Sequence, residues 1–339
     1  TPAAEEALIA AFADLQDYPK YTSWYGDHSA LMACHASPVH YFIIEALDAM
    51  GSTQTRQIVP HLIHSVPIDP DRALLLENDD YEKLVGRVIR RGGAEAAVVE
   101  TCLAILGDSQ ATADKEIQQA ISHIHRCWAG HPGAENRAAQ ILSLVCRDRK
   151  YEPQIRAALD RYRKKVNTIP RVFNSGIPIV QQLPVKNWVC FFLARSLGNL
   201  ADRRSVDALI AILEQEPTEA AGGRPDPLGP GIHFLHNGLT PCWRAAVAWA
   251  LGRIGDRRAS AVLLSIVDDL ENATDTRHAA AVALGRIADP ASVETLRQLA
   301  TDYPEVSTRR ALLAAAGANV PVENATEPTG NKQAPAAGA

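Results

Sequence analysis

The chain has 339 residues, of which 47% are hydrophobic and 6% aromatic, and its formal net charge is -5. No apolar run reaches the roughly 18 residues that a membrane-spanning helix needs. The 34 basic residues are outnumbered by 39 acidic residues, which disfavours a nucleic-acid-binding protein because such proteins rely on basic contacts to phosphates. Abundant alanine and few aromatic residues favour closely packed helices over a β-sandwich.

The first distinctive segment, residues 18–42, reads "YPKYTSWYGDHSALMACHASPVHYF" and is the densest in aromatic residues and histidines. We interpret it as a bulky N-terminal cap, with a ligand pocket or partner surface as the alternative. Cys34 and His35 are adjacent and point in different directions on a helix, which argues against a nucleophile pair. The candidate ligand- or partner-binding residues of this segment are Tyr21, Trp24, Tyr25, His28, His35 and His40.

Residues 1–165 are predicted to form this cap and a series of irregular helical units. Helix-like phrases occur at 45–63, 102–110 and 136–148, with uneven spacing. Within the first phrase, His61 and His64 are three residues apart and could hold a transition metal together. No HExxH or cysteine-rich zinc spacing accompanies them, so we expect no metal and no cofactor.

Three stretches interrupt the helical pattern. Residues 166–187 contain three prolines and predict an ordered crossing loop. Residues 216–241 are a long Gly- and Pro-rich insertion, and it holds two more candidate surface residues, His233 and His236. Residues 321–339 have the composition of a disordered tail.

Residues 188–320 contain a repeated phrase. Aligned on its Leu-Gly step, it recurs with the glycines at Gly198, Gly252, Gly285 and Gly317, at intervals of 54, 33 and 32 residues. The first interval is one period plus a 21-residue insertion. Periods of this length are typical of stacked helix pairs.

Each unit is predicted to be a helix, a tight turn and a second helix. Ala246, Ala250 and Ile254 fall on one helical stripe. Asp289-Pro290 is a strong helix-start signal. Glycine costs about 1 kcal/mol relative to alanine inside an exposed helix, so its recurrence predicts that neighbouring helices approach closely. A single pair cannot cover its own apolar face, and stacking buries it.

The pattern R-x-x-A-x-x-A-L-G-x-I-G-D-x-x-A of residues 244–259 resembles a HEAT-like repeat of the phycobilisome-lyase type. Residues 277–289 match it nearly as well, while the copy near residue 190 has Cys190 in place of the arginine. The resemblance implies an all-α, right-handed α-α superhelix, with an irregular N-terminal half and a final half-repeat from Arg309.

Arg244, Arg277 and Arg309 occupy the same position in successive units. We interpret them as a structural ladder that bonds to carbonyls and acids of adjacent repeats, and a groove for anions or acidic peptides is the alternative. The turn arginines, Arg203-Arg204 and Arg257-Arg258, are expected to be solvated.

The leading functional hypothesis is a non-catalytic scaffold or adaptor that binds another protein on the concave face of the solenoid. A larger enzyme complex is a second candidate partner. The family resemblance also implies a bilin lyase-like enzyme or a tetrapyrrole-binding chaperone, and an accessory domain of a redox or modifying enzyme is a third reading. The His-Glu dipeptides of HEAT-like iron hydroxylases do not occur in the chain. No catalytic residues are assigned. An activity, if there is one, is expected to be lyase-like.

The six cysteines are scattered singly and predict buried, unpaired thiols. Such thiols favour a cytoplasmic protein, although the start at Thr1 is compatible with an exported mature form.

Overall fold

A computed structural model describes residues 1–14, 38–66, 80–122, 134–164, 168–171, 181–215 and 243–317. The described part of the N-terminal half forms eight helices: α1 (Pro2–Asp14), α2 (Pro38–Ala49), α3 (Val59–Ser65), α4 (Asp80–Arg91), α5 (Glu95–Ile105), α6 (Lys115–Ser122), α7 (Ala134–Val145) and α8 (Glu152–Arg163). Among the described residues, no helix is both long and apolar enough to cross a membrane.

After α8 come two short strands, β1 (Thr168–Arg171) and β2 (Gln181–Pro184). Seven helices follow: α9 (Val185–Leu200), α10 (Val206–Gln215), α11 (Trp243–Ile254), α12 (Ser260–Asp268), α13 (Thr274–Ile287), α14 (Val293–Thr301) and α15 (Val306–Ala315). The insertion at 216–241 and the tail at 321–339 lie outside the described residues.

The helices pair off in sequence order, as the repeat predicts. The first helices of successive units pack side by side in the order α7, α9, α11, α13 and α15. The second helices, α8, α10, α12 and α14, form another layer that packs against the first. Together the two layers make an all-α, HEAT-like solenoid.

The first-helix layer carries the core. Every residue from Trp243 to Gly252 in α11 is buried, because α11 has a first helix on each side and second helices beneath. In α13, which has only the short α15 on its outer side, His278, Val282 and Gly285 are only partly buried, although the residues at the equivalent positions of α11 are buried. Alanine dominates both helices because its small side chain allows neighbouring helices to lie close.

The turn between the two helices of a unit has one local structure, which recurs. In α9, α11 and α13 the first helix is followed by a residue in the left-handed conformation: Ala201, Gly255 and Ala288. An aspartate comes next, and its carboxylate accepts a hydrogen bond from the backbone N–H two residues later, as in Asp202, Asp256 and Asp289. This cap starts a 3₁₀ turn that leads into the second helix.

The recurring glycines mark where first helices touch. A Cβ built on Gly252 would lie 2.6 Å from the Cα of Ala283, and one on Gly198 would lie 2.9 Å from the Cα of Ala250. Both distances are too short for a real side chain, so glycine is required for this packing. At Gly285 the same approach, to Ala315, is looser, at 3.3 Å.

Gly317 differs from the other glycines of the repeat. The prediction of close approach is wrong here, since a Cβ on Gly317 would meet nothing within 4 Å, and its φ is +68°. Helix α15 ends one turn sooner than α13 does, so this glycine terminates the helix in the left-handed conformation.

The segment predicted as a crossing loop contains a two-stranded antiparallel ribbon. Thr168 is opposite Pro184, and Arg171 is opposite Gln181. The prolines that suggested a loop are compatible with such a ribbon, because each strand has a free edge where a missing N–H costs nothing. The predicted loop also ends early, since α9 begins at Val185.

Candidate interaction surface

Most of the candidate residues of the N-terminal segment and the insertion lie outside the described residues: Tyr21, Trp24, Tyr25, His28, His35, His233 and His236. His40 is described. It lies on α2, and its ring packs edge-on against Phe12 of α1, with the centroids 5.2 Å apart. Burial lowers the pKa of His40, which keeps the ring neutral near pH 7. Its position is that of a helix-packing residue.

His61 and His64 lie on α3, as their spacing predicts. Burial lowers the pKa of His61. Within the described ranges, no group of three His, Cys, Asp or Glu side chains is placed to hold a metal ion. Two histidines without a third ligand give the metal hypothesis no geometric support there.

The repeated arginines lie at the edge where one unit connects to the next. Nη1 of the buried Arg277 donates to the backbone oxygen of Leu270 at 2.5 Å, and Nη2 donates to the carboxylate of Glu305 just before α15. Arg244, also buried, donates to the side chain of Asn272 at 3.4 Å. These bonds tie each first helix to a connecting segment. Arg309 is half-buried on α15.

A buried polar chain crosses four helices of the N-terminal half and the first complete repeat. Arg137 on α7 donates to the backbone oxygens of Ile63 and Val66 at the end of α3, and at 2.9 Å to the side chain of Gln140. Gln140 donates to one carboxylate oxygen of Glu82 on α4 at 3.4 Å. The other carboxylate oxygen accepts a hydrogen bond from Arg195 on α9, at 3.2 Å.

No residue of this buried polar chain was identified from the sequence. The sequence does contain a signal for it, because Arg195 directly follows the apolar run "WVCFFLA". A charged residue in such a buried helix needs a partner of opposite charge. The guanidinium also lies over the ring of Phe192, 5.7 Å from its centroid. This buried polar chain joins helices whose units are spaced irregularly in sequence, and its hydrogen bonds fix the packing of α3, α4, α7 and α9 against one another.

The arginines of the turns were expected to be solvated, and two of them also make contacts between units. Arg258 donates to the carboxylate of Asp207 in the preceding unit at 2.6 Å and also bonds to its own turn aspartate, Asp256. Arg204 donates to the backbone oxygen of Arg149, again one unit earlier, at 2.8 Å. Both side chains remain about half exposed, so these contacts are surface links along one edge of the stack.

The outer surface of α10, α12 and α14 is exposed, and we call it the second-helix face. Side chains at equivalent positions of successive units are exposed there, because no further layer covers them in the described part of the chain. They are Asp207, Ala261 and Glu294 in one row, and Glu214, Asp268 and Thr301 in another.

An open groove runs between α12 and α14 on this face. It is lined by Leu264, Ser265, Asp268, Thr295, Gln298 and Leu299. The two leucines are half-buried and rest on the core below. The groove therefore offers an apolar floor with polar and acidic walls.

Comparison with known families agrees with the repeat structure. Residues 189–215, which include most of α9 and all of α10, match the PBS lyase HEAT-like repeat family. Residues 234–317, which include α11 to α15, match the HEAT repeats family. No curated protein matches the chain significantly.

The matched residues coincide with the helix pairs that stack in register. Residues 189–215 and 234–317 therefore consist of HEAT-like repeats, and they form a helical repeat scaffold of the kind that supports protein interaction.

Proposed function

We propose that the protein is a non-catalytic scaffold or adaptor that binds another protein along the second-helix face. The observation that carries the proposal is the contrast between the layers. From Trp188 onward α9 is buried almost throughout, and so is α11, while α10, α12 and α14 each keep an exposed side. Helix α12 contacts α10 and shares a groove with α14, so these exposed sides adjoin one another. An extended, repeated surface of this type is how stacked helix pairs bind their partners.

Chemistry on the described residues gives less support to catalysis. The buried polar chain has its hydrogen bonds directed at helices and backbone, which is a structural use of charge. Two of the described thiols, Cys102 and Cys146, have their pKa raised by burial, which removes the reactive thiolate at neutral pH.

Site-specific photo-cross-linking tests the proposal. A benzophenone amino acid replaces Ser265 or Gln298 on the second-helix face, and in a matched control it replaces the exposed Arg286 of the first-helix layer. Irradiation in the native cells is followed by mass spectrometry of the adducts. We expect a shared protein adduct at Ser265 and Gln298 that does not form at Arg286. Equal labelling at all three positions, or labelling at Arg286 alone, would overturn the proposal.

A further inference from the structure

The charges at the C-terminal ends of three second helices, α10, α12 and α14, are unfavourable for the helix dipole. The C-terminal end of a helix carries a partial negative charge and favours basic residues in its last turn. Helix α8 follows this rule with Arg161 and Arg163, and so do α11 and α13, with Arg253 and Arg286.

Helices α10, α12 and α14 do not follow it. None of the three has a basic residue in its last turn. Glu214 and Asp268 lie in the last turns of α10 and α12, at equivalent positions, and Asp302 directly follows α14. All three carboxylates are exposed. Acidic residues at these helix ends reduce the stability of the fold. Because they nevertheless recur in three consecutive units, a role in binding explains their presence better than a role in stability does.

The basic charge available to neutralise these carboxylates on their own helices is small. Across α10, α12 and α14 the sequence contains one basic residue, Arg297. Its guanidinium lies 3.7 Å from the carboxylate of Glu294 on the same helix. Arg277 lies at the same edge, but it is buried and paired with Glu305. The exposed charges at the ends of these three helices are therefore negative.

The groove between α12 and α14 opens beside this edge, and Asp268 belongs to both. Leu264 and Leu299 supply an apolar floor, and Ser265, Thr295 and Gln298 supply neutral hydrogen-bonding groups. A segment that carries an apolar side chain between basic residues complements all these features. An acidic segment, a nucleic acid or an anionic lipid surface would be repelled.

We propose that the groove between α12 and α14 docks a Lys- or Arg-rich segment of the partner protein, with an apolar residue of that segment between Leu264 and Leu299 and its cations facing Asp268 and the neighbouring carboxylates Glu214 and Asp302. This proposal rests on the proposed function and specifies the partner's chemistry.

Fluorescence anisotropy with three labelled peptides tests it on the full chain. The peptides have equal length and identically spaced leucines, and their remaining positions are all Lys, all Ser or all Glu. We expect the Lys peptide to bind most tightly and the Glu peptide to show no binding. The affinity for the Lys peptide is expected to fall as salt is added, because exposed ion pairs are screened.

Charge-neutralising variants locate the site. The triple variant Glu214→Gln, Asp268→Asn, Asp302→Asn is expected to bind the Lys peptide about tenfold more weakly, since three exposed pairs each contribute a modest amount. Glu45→Gln on α2, an exposed carboxylate far along the chain, is the matched control and should leave binding unchanged. The triple variant should also melt at a higher temperature than the native chain, because the unfavourable charges at the helix ends are gone.

Three results would each overturn the proposal: no binding of the Lys peptide, binding that the triple variant retains in full, or tighter binding of the Ser or Glu peptide. None of these results decides the scaffold function, which the cross-linking at Ser265 and Gln298 tests separately without any assumption about charge.

Discussion

Nη2 of Arg195 donates a hydrogen bond of 3.2 Å to Oε2 of Glu82, which is 113 residues earlier in the chain, and both side chains are buried. This pair joins α9, at the start of the regular repeats, to α4 in the irregular half. Removing one member of a buried ion pair leaves the other charge without compensation, and that is far more costly than losing an exposed pair.

We therefore expect Glu82→Ala to lower the free energy of unfolding by about 3–5 kcal/mol. Urea denaturation followed by circular dichroism measures the change. The matched control is Glu294→Ala, which breaks an exposed pair with Arg297 and should cost less than about 1 kcal/mol. Equal small losses in both variants would show that the buried pair does not hold the two halves together.

The glycines of the repeat give a second prediction. Replacement by alanine should have different effects on the melting temperature at two equivalent positions, Gly252 and Gly285. Gly252→Ala places a Cβ 2.6 Å from the Cα of Ala283, so α11 and α13 must separate, and overpacking of this kind costs about 1–3 kcal/mol. Gly285→Ala places a Cβ 3.3 Å from Ala315 of the terminal helix, which has no outer neighbour among the described helices and can shift.

In Gly285→Ala the gain in helix propensity, about 1 kcal/mol, should then offset the free-energy cost of the close contact with Ala315. We expect a melting temperature equal to or above that of the native chain for Gly285→Ala, and a clearly lower one for Gly252→Ala. Similar destabilisation in both variants would mean that the last helix is held as tightly as the inner ones.

The repeats could be predicted from sequence because one period fixes which helices become neighbours. Once Gly198, Gly252 and Gly285 are aligned, the stacking order and the turns follow from local signals. The Arg195–Glu82 pair could not be predicted in this way, because the units before residue 188 have no constant period and the register between α4 and α9 depends on tertiary packing. The short ribbon was missed for a different reason, since prolines argue against strands in general but not at free edges.

The repeat alone identified the positions of Arg244 and Arg277, which connect successive units. It did not identify the second-helix face as the exposed one, since the apolar stripes of α10 and α12 show only that one side of each helix is buried. The groove depends on the spacing between α12 and α14, and that distance is not encoded in either helix by itself.

The turn aspartates predict a pH dependence. The side chain of Arg258 donates hydrogen bonds to Asp256 and lowers the pKa of that carboxyl, and the backbone N–H of Arg258 acts in the same direction. Because the pKa is lower in the folded state than in the unfolded state, this contribution to stability is present above the ordinary range of aspartate, about pH 4. It is lost as the pH falls through the lowered value.

An NMR titration of the Asp256 side-chain carboxyl measures its pKa in the folded protein directly. We expect a midpoint below that of a free aspartate, and a rise towards the ordinary value in Arg258→Gln. Arg257→Gln removes the same charge one residue away and is the matched control, expected to change the midpoint less. A larger effect of Arg257→Gln would contradict the assignment of the shift to the hydrogen bonds of Arg258.

The buried thiols give the last prediction. Cys102 lies on α5, and Cys146 directly follows α7, which packs against α5; both are free and buried. Burial raises the pKa of Cys102 and raises that of Cys146 to about 12. At neutral pH both are therefore thiols without access to solvent, and neither the thiolate nor the space needed for alkylation is present.

Iodoacetamide labelling mapped by mass spectrometry should leave Cys102 and Cys146 unmodified in the native protein and modify both in urea. Their labelling should appear together at intermediate urea, because a reagent reaches either sulfur only when α5 and α7 separate. Labelling of Cys146 well before Cys102 would instead show that the segment after α7 opens alone. In Glu82→Ala the labelling of both cysteines should begin at a lower urea concentration. The carboxylate that accepts a hydrogen bond from Gln140 of α7 is then missing.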